Sequence, residues 1–162
     1  MTDNTSNNAA GRGINAVTPH LVCAGAAGAI AFYKQAFGAT EMIRLAGADG
    51  KLMHACLCIN GSSVMLMDDY PEHGATSPKT LGGTPVTIHL VVDDVDTVVA
   101  TAVAAGATVV MPVADMFWGD RYGVIEDPFG HRWSVATPKH QMTEAELHAA
   151  ILGGSAAAGK SS

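Results

Sequence analysis

The chain has 162 residues, of which 48% are apolar, and its formal net charge at pH 7 is −6. This length suits one domain or two fused half-domains, and the apolar content is enough for a core. The acidic balance argues against nucleic acid and against an anionic membrane surface as partners. No apolar run approaches the roughly 20 residues that a membrane-spanning helix needs.

The amino-terminal residues and the cysteines indicate a cellular compartment. Residues 1–13 are polar and lack the apolar stretch of a secretory signal, so we expect a disordered tail there. The chain has 3 cysteines, an odd number, and Cys56 and Cys58 alternate along one predicted strand. This pattern does not indicate a disulfide framework, so we expect a protein of the reducing cytoplasm.

Residues 14–69 form a first predicted module. A stripe of apolar residues four, three and four positions apart predicts its helix, and Gly38 stands where a helix needs a left-handed terminator. Asn60-Gly61 is a strong signal for a two-residue hairpin. In chain order, the predicted elements are a strand at 17–23 that is apolar on both faces and therefore buried, a helix at 26–37, and strands at 40–46, 51–60 and 62–68.

A linker at 70–85, with three prolines and three glycines, precedes a second predicted module at 86–138. Asp94 can cap the helix of this module, and Asp127-Pro128-Phe129-Gly130 is typical of a type I turn. The predicted elements are a strand at 86–92, a helix at 95–105, and strands at 107–114, 121–127 and 131–136.

The carboxyl-terminal segment carries one more helix signal. Thr143 and Glu146 have the spacing of a capping box, which predicts a short helix at about 144–151 within a helical segment at 139–152. The remaining residues, 153–162, are mostly Gly, Ala and Ser, and we expect a flexible tail.

The second module repeats the first. Thr18-Pro19-His20-Leu21-Val22 corresponds to Thr87-Ile88-His89-Leu90-Val91 at an offset of 69 residues (89 − 20), and Gly38-Ala39-Thr40 returns as Gly106-Ala107-Thr108. A repeat of this kind sets the architecture. The sequence predicts an α+β fold of two βαβββ modules in tandem, whose curved mixed sheets enclose a cleft. Helices would cover one face of each sheet, and the other faces would look at each other or at a second chain.

This pattern resembles the vicinal oxygen chelate superfamily, which includes glyoxalase I, bleomycin-resistance proteins and extradiol dioxygenases. Several short sequence words, in order and at repeat spacing, are similar to its PhnB-like branch. They span about residues 17–137 and are Thr18-Pro19-His20-Leu21-Val22, Ala31-Phe32-Tyr33-Lys34, Phe37-Gly38-Ala39-Thr40, Lys51-Leu52-Met53-His54-Ala55, Trp118-Gly119-Asp120-Arg121-Tyr122-Gly123 and Asp127-Pro128-Phe129-Gly130-His131-Arg132-Trp133.

The resemblance implies where a metal would be bound. Metal-using members take one ligand from the first strand and one from the fourth strand of each module. These positions correspond here to Thr18, Met65, Thr87 and Ser134. One thioether and three hydroxyls are not a ligand set for a hard or borderline cation, so we expect no metal at the usual positions.

Three histidines and one glutamate are the candidates for chemistry. His20 and His89 each lie two residues past a lost ligand position and therefore share its strand face. With His54 they could form a displaced metal site, or one neutral histidine could act as a base; alternatively they are cavity-lining histidines satisfied by backbone or water. Glu126 could act as a general base if it is buried, or it could pair with Arg121 or Arg132.

At 118–123, aromatic and basic side chains beside flexible glycines suggest a lid over a planar or anionic ligand. The alternative is a packed turn. Methionines would supply an adaptable apolar lining. The predicted ligand-binding residues are Thr18, His54, Met65, Thr87, Trp118, Arg121, Tyr122 and Ser134.

Three functions remain open at this point. The first is binding of a small organic molecule in the cleft between the modules without a metal, as the bleomycin-resistance branch does by sequestration. The second is a metal-dependent lyase or isomerase of glyoxalase type, or a dioxygenase-like enzyme, with displaced His20, His54 and His89 as ligands. The third is a catalytically silent protein that assembles dimers. The resemblance also implies a homodimer.

Overall fold

A computed structural model describes residues 13–158, and it describes side chains as far as residue 153. Nearly all of the predicted amino-terminal tail and the end of the predicted carboxyl-terminal tail lie outside these residues. The elements are β1 (His20–Cys23), α1 (Ala26–Phe37), β2 (Thr40–Ala46), β3 (Leu52–Ile59), β4 (Ser62–Asp68), a 3₁₀ turn (Pro71–His73), α2 (Pro78–Leu81), β5 (Thr87–Val91), α3 (Val95–Ala104), β6 (Thr108–Asp115), β7 (Asp120–Glu126), β8 (Arg132–Pro138) and α4 (Glu144–Ala158).

The strands form two sheets with the same topology, which confirms the tandem βαβββ fold. The strand order is β1-β4-β3-β2 in sheet 1 and β5-β8-β7-β6 in sheet 2. In each sheet the first strand runs parallel to the fourth, and the other neighbours are antiparallel. Both first strands, β1 and β5, are therefore edge strands.

Turn and cap residues act as the sequence predicts. Asn60 has φ 46° and Gly61 has φ 81°, as a tight hairpin with two positive φ angles requires. The Asp94 carboxylate accepts a hydrogen bond from the Thr97 amide at 3.1 Å, and Glu146 accepts one from the Thr143 amide at 2.7 Å. These local signals confirm the predicted starts of α3 and α4.

The repeat extends to how each helix of a module begins. Asp68, the last residue of β4, accepts hydrogen bonds from the amides of Gly25 at 3.2 Å and Ala26 at 2.8 Å. The equivalent residue of β8, Thr137, accepts one from the amide of Val95 at 2.9 Å. A side chain at the end of the fourth strand thus satisfies the free amides at the start of each helix.

The helix-covered faces of the two sheets meet in the middle of the molecule. Helix α1 packs on sheet 1 and against α3, which packs on sheet 2. Phe37 of α1 contacts Trp133 of β8 with ring centroids 4.8 Å apart, and Tyr33 lies 5.4 Å from the same indole. The other face of each sheet, which we call its open face, therefore points away from this helical layer. Among the described residues of one chain, the two open faces do not enclose a cleft between them.

Three sequence expectations need correction. The strand predicted at 17–23 starts only at His20, and only one of its faces is buried, because His20 is exposed on the open face. The linker contains two short helical elements, the 3₁₀ turn and α2, which the sequence analysis did not include. Helix α4 continues to Ala158, well past the predicted end at 151. Among residues 13–158, no helix is both long and apolar enough to cross a bilayer.

A buried carboxylate joins the two modules. Asp127, in the turn between β7 and β8, is only 2% exposed. It accepts hydrogen bonds from the Tyr33 hydroxyl of module 1 at 2.6 Å and from the Trp133 indole nitrogen at 3.0 Å. It also accepts bonds from the amides of Phe129 at 2.9 Å and His131 at 3.0 Å. Burial and the nearby Asp127 charge raise the pKa of Tyr33 well above its usual range, so its hydroxyl remains a donor.

Replacing this carboxylate should destabilise the whole chain. Asp127→Ala leaves four buried donors without their acceptor, and we expect the free energy of unfolding to fall by about 3 kcal/mol or more in urea titrations. Tyr33→Phe removes one donor and should cost only about 1 kcal/mol. Asp93→Ala, at an exposed carboxylate, serves as the control. A loss for Asp127→Ala no larger than that of the control would contradict this role.

Candidate functional site

A cavity of about 610 Å³ lies between the two modules, at the facing edges of β1 and β5. Most of its wall is apolar and comes from the two strands and from the linker. His20, His89 and His131 supply imidazole groups to the wall. Its volume falls in the range of roughly 300–1,000 Å³ that small-molecule sites occupy. Further lining residues used below are Leu81, Val86 and Ile88.

The two modules present equivalent residues to this cavity. His20 is opposite Met65 of the parallel neighbouring strand, and His89 is opposite Ser134 in the same register. Paired residues in a sheet point to the same face, so each histidine also borders the open face of its own sheet. The two strands that line the cavity, β1 and β5, are thus direct neighbours of β4 and β8, which carry the predicted ligand positions Met65 and Ser134.

On sheet 1, the open face brings together His20, His54 and Met65. The rings of His20 and His54 meet edge to face, with centroids 6.0 Å apart. Met65 occupies the strand between those of the two histidines. Partial desolvation of the otherwise exposed ring, and secondarily the charge of His54, lower the pKa of His20 below its ordinary value of 6.5. His20 is therefore neutral at pH 7 and can accept or donate a hydrogen bond.

On sheet 2, an aromatic cluster follows His89. Ser134 Oγ lies 2.8 Å from His89 Nδ1, so one of these atoms donates to the other. The ring of Tyr122 stacks beside His89 at a centroid distance of 6.2 Å, and Trp118 meets Tyr122 edge to face at 5.3 Å. The Trp118 indole nitrogen donates to Asp120 at 3.1 Å, which fixes its orientation. Flat aromatic surfaces therefore extend outward from the second histidine.

Arg121 and Glu126 are held by partners on the protein. The Arg121 guanidinium donates to both oxygens of Asp96, at 2.6 and 2.8 Å, and to Asp115 at 3.2 Å. It therefore ties the start of α3 to the β6–β7 hairpin. Glu126 lies 3.7 Å from Arg132, the cross-strand neighbour, and is only partly buried. Of the two arginines considered for Glu126, the structure pairs it with Arg132.

The two threonines at the usual first-strand ligand positions have neighbours other than the fourth-strand ligand residues. Thr18 donates to the backbone carbonyl of Asn15 at 2.8 Å and lies 2.9 Å from the Ser63 hydroxyl. Thr87 pairs in register with Arg132 rather than with Ser134. Both threonines line the cavity between the modules.

The donor set does not fit a divalent metal ion at the family's usual positions. Thr18, Met65, Thr87 and Ser134 supply hydroxyls and a thioether, which are weak ligands for such ions. Two of these hydroxyls are also engaged within the protein, that of Thr18 with Asn15 and Ser63 and that of Ser134 with His89. The described residues contain no group of three or more His, Cys, Asp or Glu side chains that could hold a metal, so His20, His54 and His89 do not form such a site within one chain.

Sequence reasoning missed several residues of the cavity wall. Leu81 comes from the linker and Val86 directly precedes β5; they are 68% and 63% exposed, although both are apolar. Their presence in a Pro- and Gly-rich stretch was the available signal. His131, which follows the predicted turn, is buried and its Nε2 lies 2.9 Å from the carbonyl oxygen of Val22. It therefore links sheet 2 to β1 directly.

Comparison with known proteins agrees with this fold. The model of the Glyoxalase/Bleomycin resistance protein/Dioxygenase superfamily matches residues 13–135. The chain is 53% identical over 139 residues to the Mycobacterium tuberculosis protein Rv0887c, covering 84% of this chain and 82% of that protein. It is 35% identical over 124 residues to the Arabidopsis thaliana protein At5g48480, covering 72% and 74%. The chain belongs to the glyoxalase/bleomycin resistance protein/dioxygenase superfamily.

Solved structures show the same architecture. The crystal structure of PA1353 from Pseudomonas aeruginosa matches with a TM-score of 0.63 at 27% identity, covering 76% of this chain and 98% of that one. The X-ray structure of the Arabidopsis At5g48480 product matches with a TM-score of 0.61 at 30% identity and the same coverage. The PhnB protein from Bacillus cereus has a TM-score of 0.62 at 20% identity over 76% of this chain and 99% of that chain, and this likeness shows the fold alone.

The histidine pair on sheet 1 should be visible in an NMR titration. His20 should lose its proton below pH 6.5 in the folded protein, because burial and the His54 charge disfavour its imidazolium. Since the unfolded chain binds this proton more readily, His20 lowers the free energy of unfolding as the pH falls through 6.5 towards the folded pKa. His54→Gln should raise the His20 pKa, whereas His73→Gln should leave it unchanged. A folded His20 pKa at or above 6.5 would contradict the geometry.

Proposed function

We propose that the protein binds a small organic molecule in the cavity between its two βαβββ modules. The observation that carries this proposal is a mostly apolar cavity of about 610 Å³ whose wall includes the equivalent histidines of both modules. Such a site suits a ligand with an apolar body and one or two polar groups. His20 and His89 would contact the polar groups, and Leu81, Val86 and Ile88 would contact the apolar body.

The ligand class we propose is planar and aromatic or otherwise flat. Support comes from the aromatic series that starts at His89 of the cavity wall, where Tyr122 stacks beside His89 and Trp118 meets Tyr122 edge to face. Binding would not depend on a divalent metal, because the hydroxyls and thioether at the usual ligand positions are poor metal donors.

We propose further that the protein is a homodimer of the PhnB-like branch that works in the reducing cytoplasm. The dimer is supported by the open faces, where Ile43 is 45% and Leu45 is 51% exposed in a single chain. The branch is supported by the sequence words described above. The compartment is supported by Cys23, Cys56 and Cys58, which are all free thiols.

A dye that reports apolar sites tests the proposed pocket. Anilinonaphthalene sulfonate should fluoresce on binding, and Val86→Asp should weaken its affinity by about tenfold, because a carboxylate then faces the dye in an apolar wall. Val110→Asp is the matched control, since Val110 is also an exposed valine, at 46%, and does not line the cavity. Equal loss in both variants, or none in Val86→Asp, would place the dye elsewhere.

A second candidate is an enzyme of the lyase or isomerase class. It is favoured by the hydrogen bond between Ser134 Oγ and His89 Nδ1, which orients the ring and leaves Nε2 for a substrate. An imidazole oriented in this way is suited to proton transfer. Glu126 is the less suitable base, because it lies 3.7 Å from Arg132 and does not line the cavity. In the metal-dependent version, the ion would have to be bound by histidines from more than one chain, because His20, His54 and His89 of one chain do not form a metal site.

Elemental analysis tests the metal-dependent version of the second candidate. Protein purified without a histidine tag should carry far less than one divalent ion per chain, and a chelator should leave dye binding unchanged. A metal content close to one ion per chain, lost in His20→Ala or His89→Ala but not in the control His73→Ala, would establish the metal-dependent alternative instead.

A further inference from the structure

The edge of β1 that faces the cavity carries main-chain groups that no strand of the described chain pairs. Along a strand, the amide and carbonyl of successive residues point alternately to one side and to the other. The Pro19 carbonyl accepts from the Met65 amide of β4 at 2.8 Å. The amide and carbonyl of the next residue, His20, therefore point away from β4 and towards the cavity that this residue lines.

The edge of β5 repeats this arrangement. Directly after β5, the Val92 amide donates to the Ala136 carbonyl of β8 at 2.9 Å. By the same alternation, the main-chain groups of His89 and Val91 point away from β8. His20 and His89 are equivalent in the repeat, so each module offers one free amide and one free carbonyl to the cavity between them.

A side chain of the opposite module caps the far end of each of these edges. His131 Nε2 lies 2.9 Å from the Val22 carbonyl oxygen, and the Asn60 side-chain amide donates to the Val91 carbonyl at 2.5 Å. A carbonyl oxygen only accepts, so Nε2 of His131 carries the hydrogen. Val22 and Val91 correspond at the offset of 69 residues, so the capping is reciprocal. Each edge is left open only near its histidine, which is too short for an added β-strand but long enough for one amide group.

The rest of the cavity wall suits an uncharged ligand. Among the described residues, no Asp, Glu, Lys or Arg lines this cavity. Two of its hydroxyls are already engaged, since that of Thr18 donates to the Asn15 carbonyl at 2.8 Å and that of Thr84 accepts from the Val86 amide at 3.2 Å. The free main-chain groups therefore join the imidazoles as polar partners that a ligand can reach.

We propose that the ligand of this cavity is a flat cyclic amide, a lactam, that pairs with the main chain of His20 or of its repeat His89. The N–H and C=O of a lactam lie side by side on one edge of its ring. The N–H donates to the histidine carbonyl and the C=O accepts from the histidine amide, so both polar groups of the ligand are satisfied when they leave water. The apolar part of the ring system lies against Leu81, Val86 and Ile88. This inference rests on the proposed binding of a small organic molecule in the same cavity.

A matched set of probes tests the pairing. Carbostyril, a fused aromatic lactam, should displace anilinonaphthalene sulfonate and move the amide signal of His20 or His89 downfield in a ¹H–¹⁵N spectrum. Its N-methyl derivative has lost the donor and leaves the histidine carbonyl unpaired, so it should bind about tenfold more weakly. A carbostyril with the methyl group on its benzene ring controls for the added size and should bind as carbostyril does.

Proline substitution tests the histidine amides themselves. Both amides point away from the neighbouring strand, and an edge strand tolerates proline where the missing N–H belongs to no ladder bond. The double variant His20→Pro, His89→Pro should bind carbostyril about tenfold more weakly than His20→Ala, His89→Ala, because both lack the imidazoles and only the first lacks the amide hydrogens. If the proline variant does not fold, the probe set on the unmodified chain decides the question.

The possible failures are distinguishable. Equal displacement of the dye by carbostyril and by its N-methyl derivative would refute lactam recognition and leave the proposed small-molecule binding intact. No displacement and no shift of either histidine amide would also refute lactam recognition. Dye binding that is absent, or that Val86→Asp does not weaken, would refute the binding of a small molecule in this cavity as well. Amide signals that move when the protein is concentrated without a probe would show that the edges pair between copies, which would overturn the proposal.

Discussion

The buried Asp127 carboxylate determines how the two modules face each other. A carboxylate that is almost fully removed from water is tolerable only when its oxygens are satisfied, and here the donors come from Tyr33 of module 1 and from Trp133 and two amides of module 2. These donors reach the Asp127 carboxylate together only if the helix-covered faces of the two sheets meet. The open faces of both sheets must then point outward, and the first strands of the two modules lie along either side of a common cavity.

This packing explains why His20 and His89 line a pocket while the open faces of both sheets stay exposed in a single chain. His20 and His89 stand on edge strands, so they border both the cavity and the open face of their own sheet. The family's usual metal positions carry hydroxyls and a thioether, and the Ser134 hydroxyl is engaged with His89. What remains at the site is an apolar cavity with imidazoles and aromatic rings beside it, and this arrangement is the basis of the proposed binding of an organic molecule. The open faces, with their exposed methionines and aliphatic residues, are suited to contact between copies.

The parts of the fold that depend on local signals could be predicted from the sequence. The 69-residue offset, the turn at Asn60-Gly61 and the caps at Asp94 and Thr143 are each written in a few neighbouring residues. The burial of β1 was mispredicted because an apolar strand at a sheet edge looks the same in sequence as one in the middle. The bond between Tyr33 and Asp127 joins residues 94 positions apart, and no local pattern reveals such a partner. No local pattern assigns Leu81 of the linker, or Val86 directly before β5, to the cavity either.

The orientation of the modules within one chain is the claim on which the site and the open faces both depend. The most direct test is an isotope-filtered NOE experiment on a mixture of labelled and unlabelled chains. The structure places the Tyr33 and Trp133 rings 5.4 Å apart in one chain, so NOEs between the Trp133 indole proton and the Tyr33 ring should arise within a chain. Their absence, or their appearance only between a labelled and an unlabelled chain, would contradict this orientation.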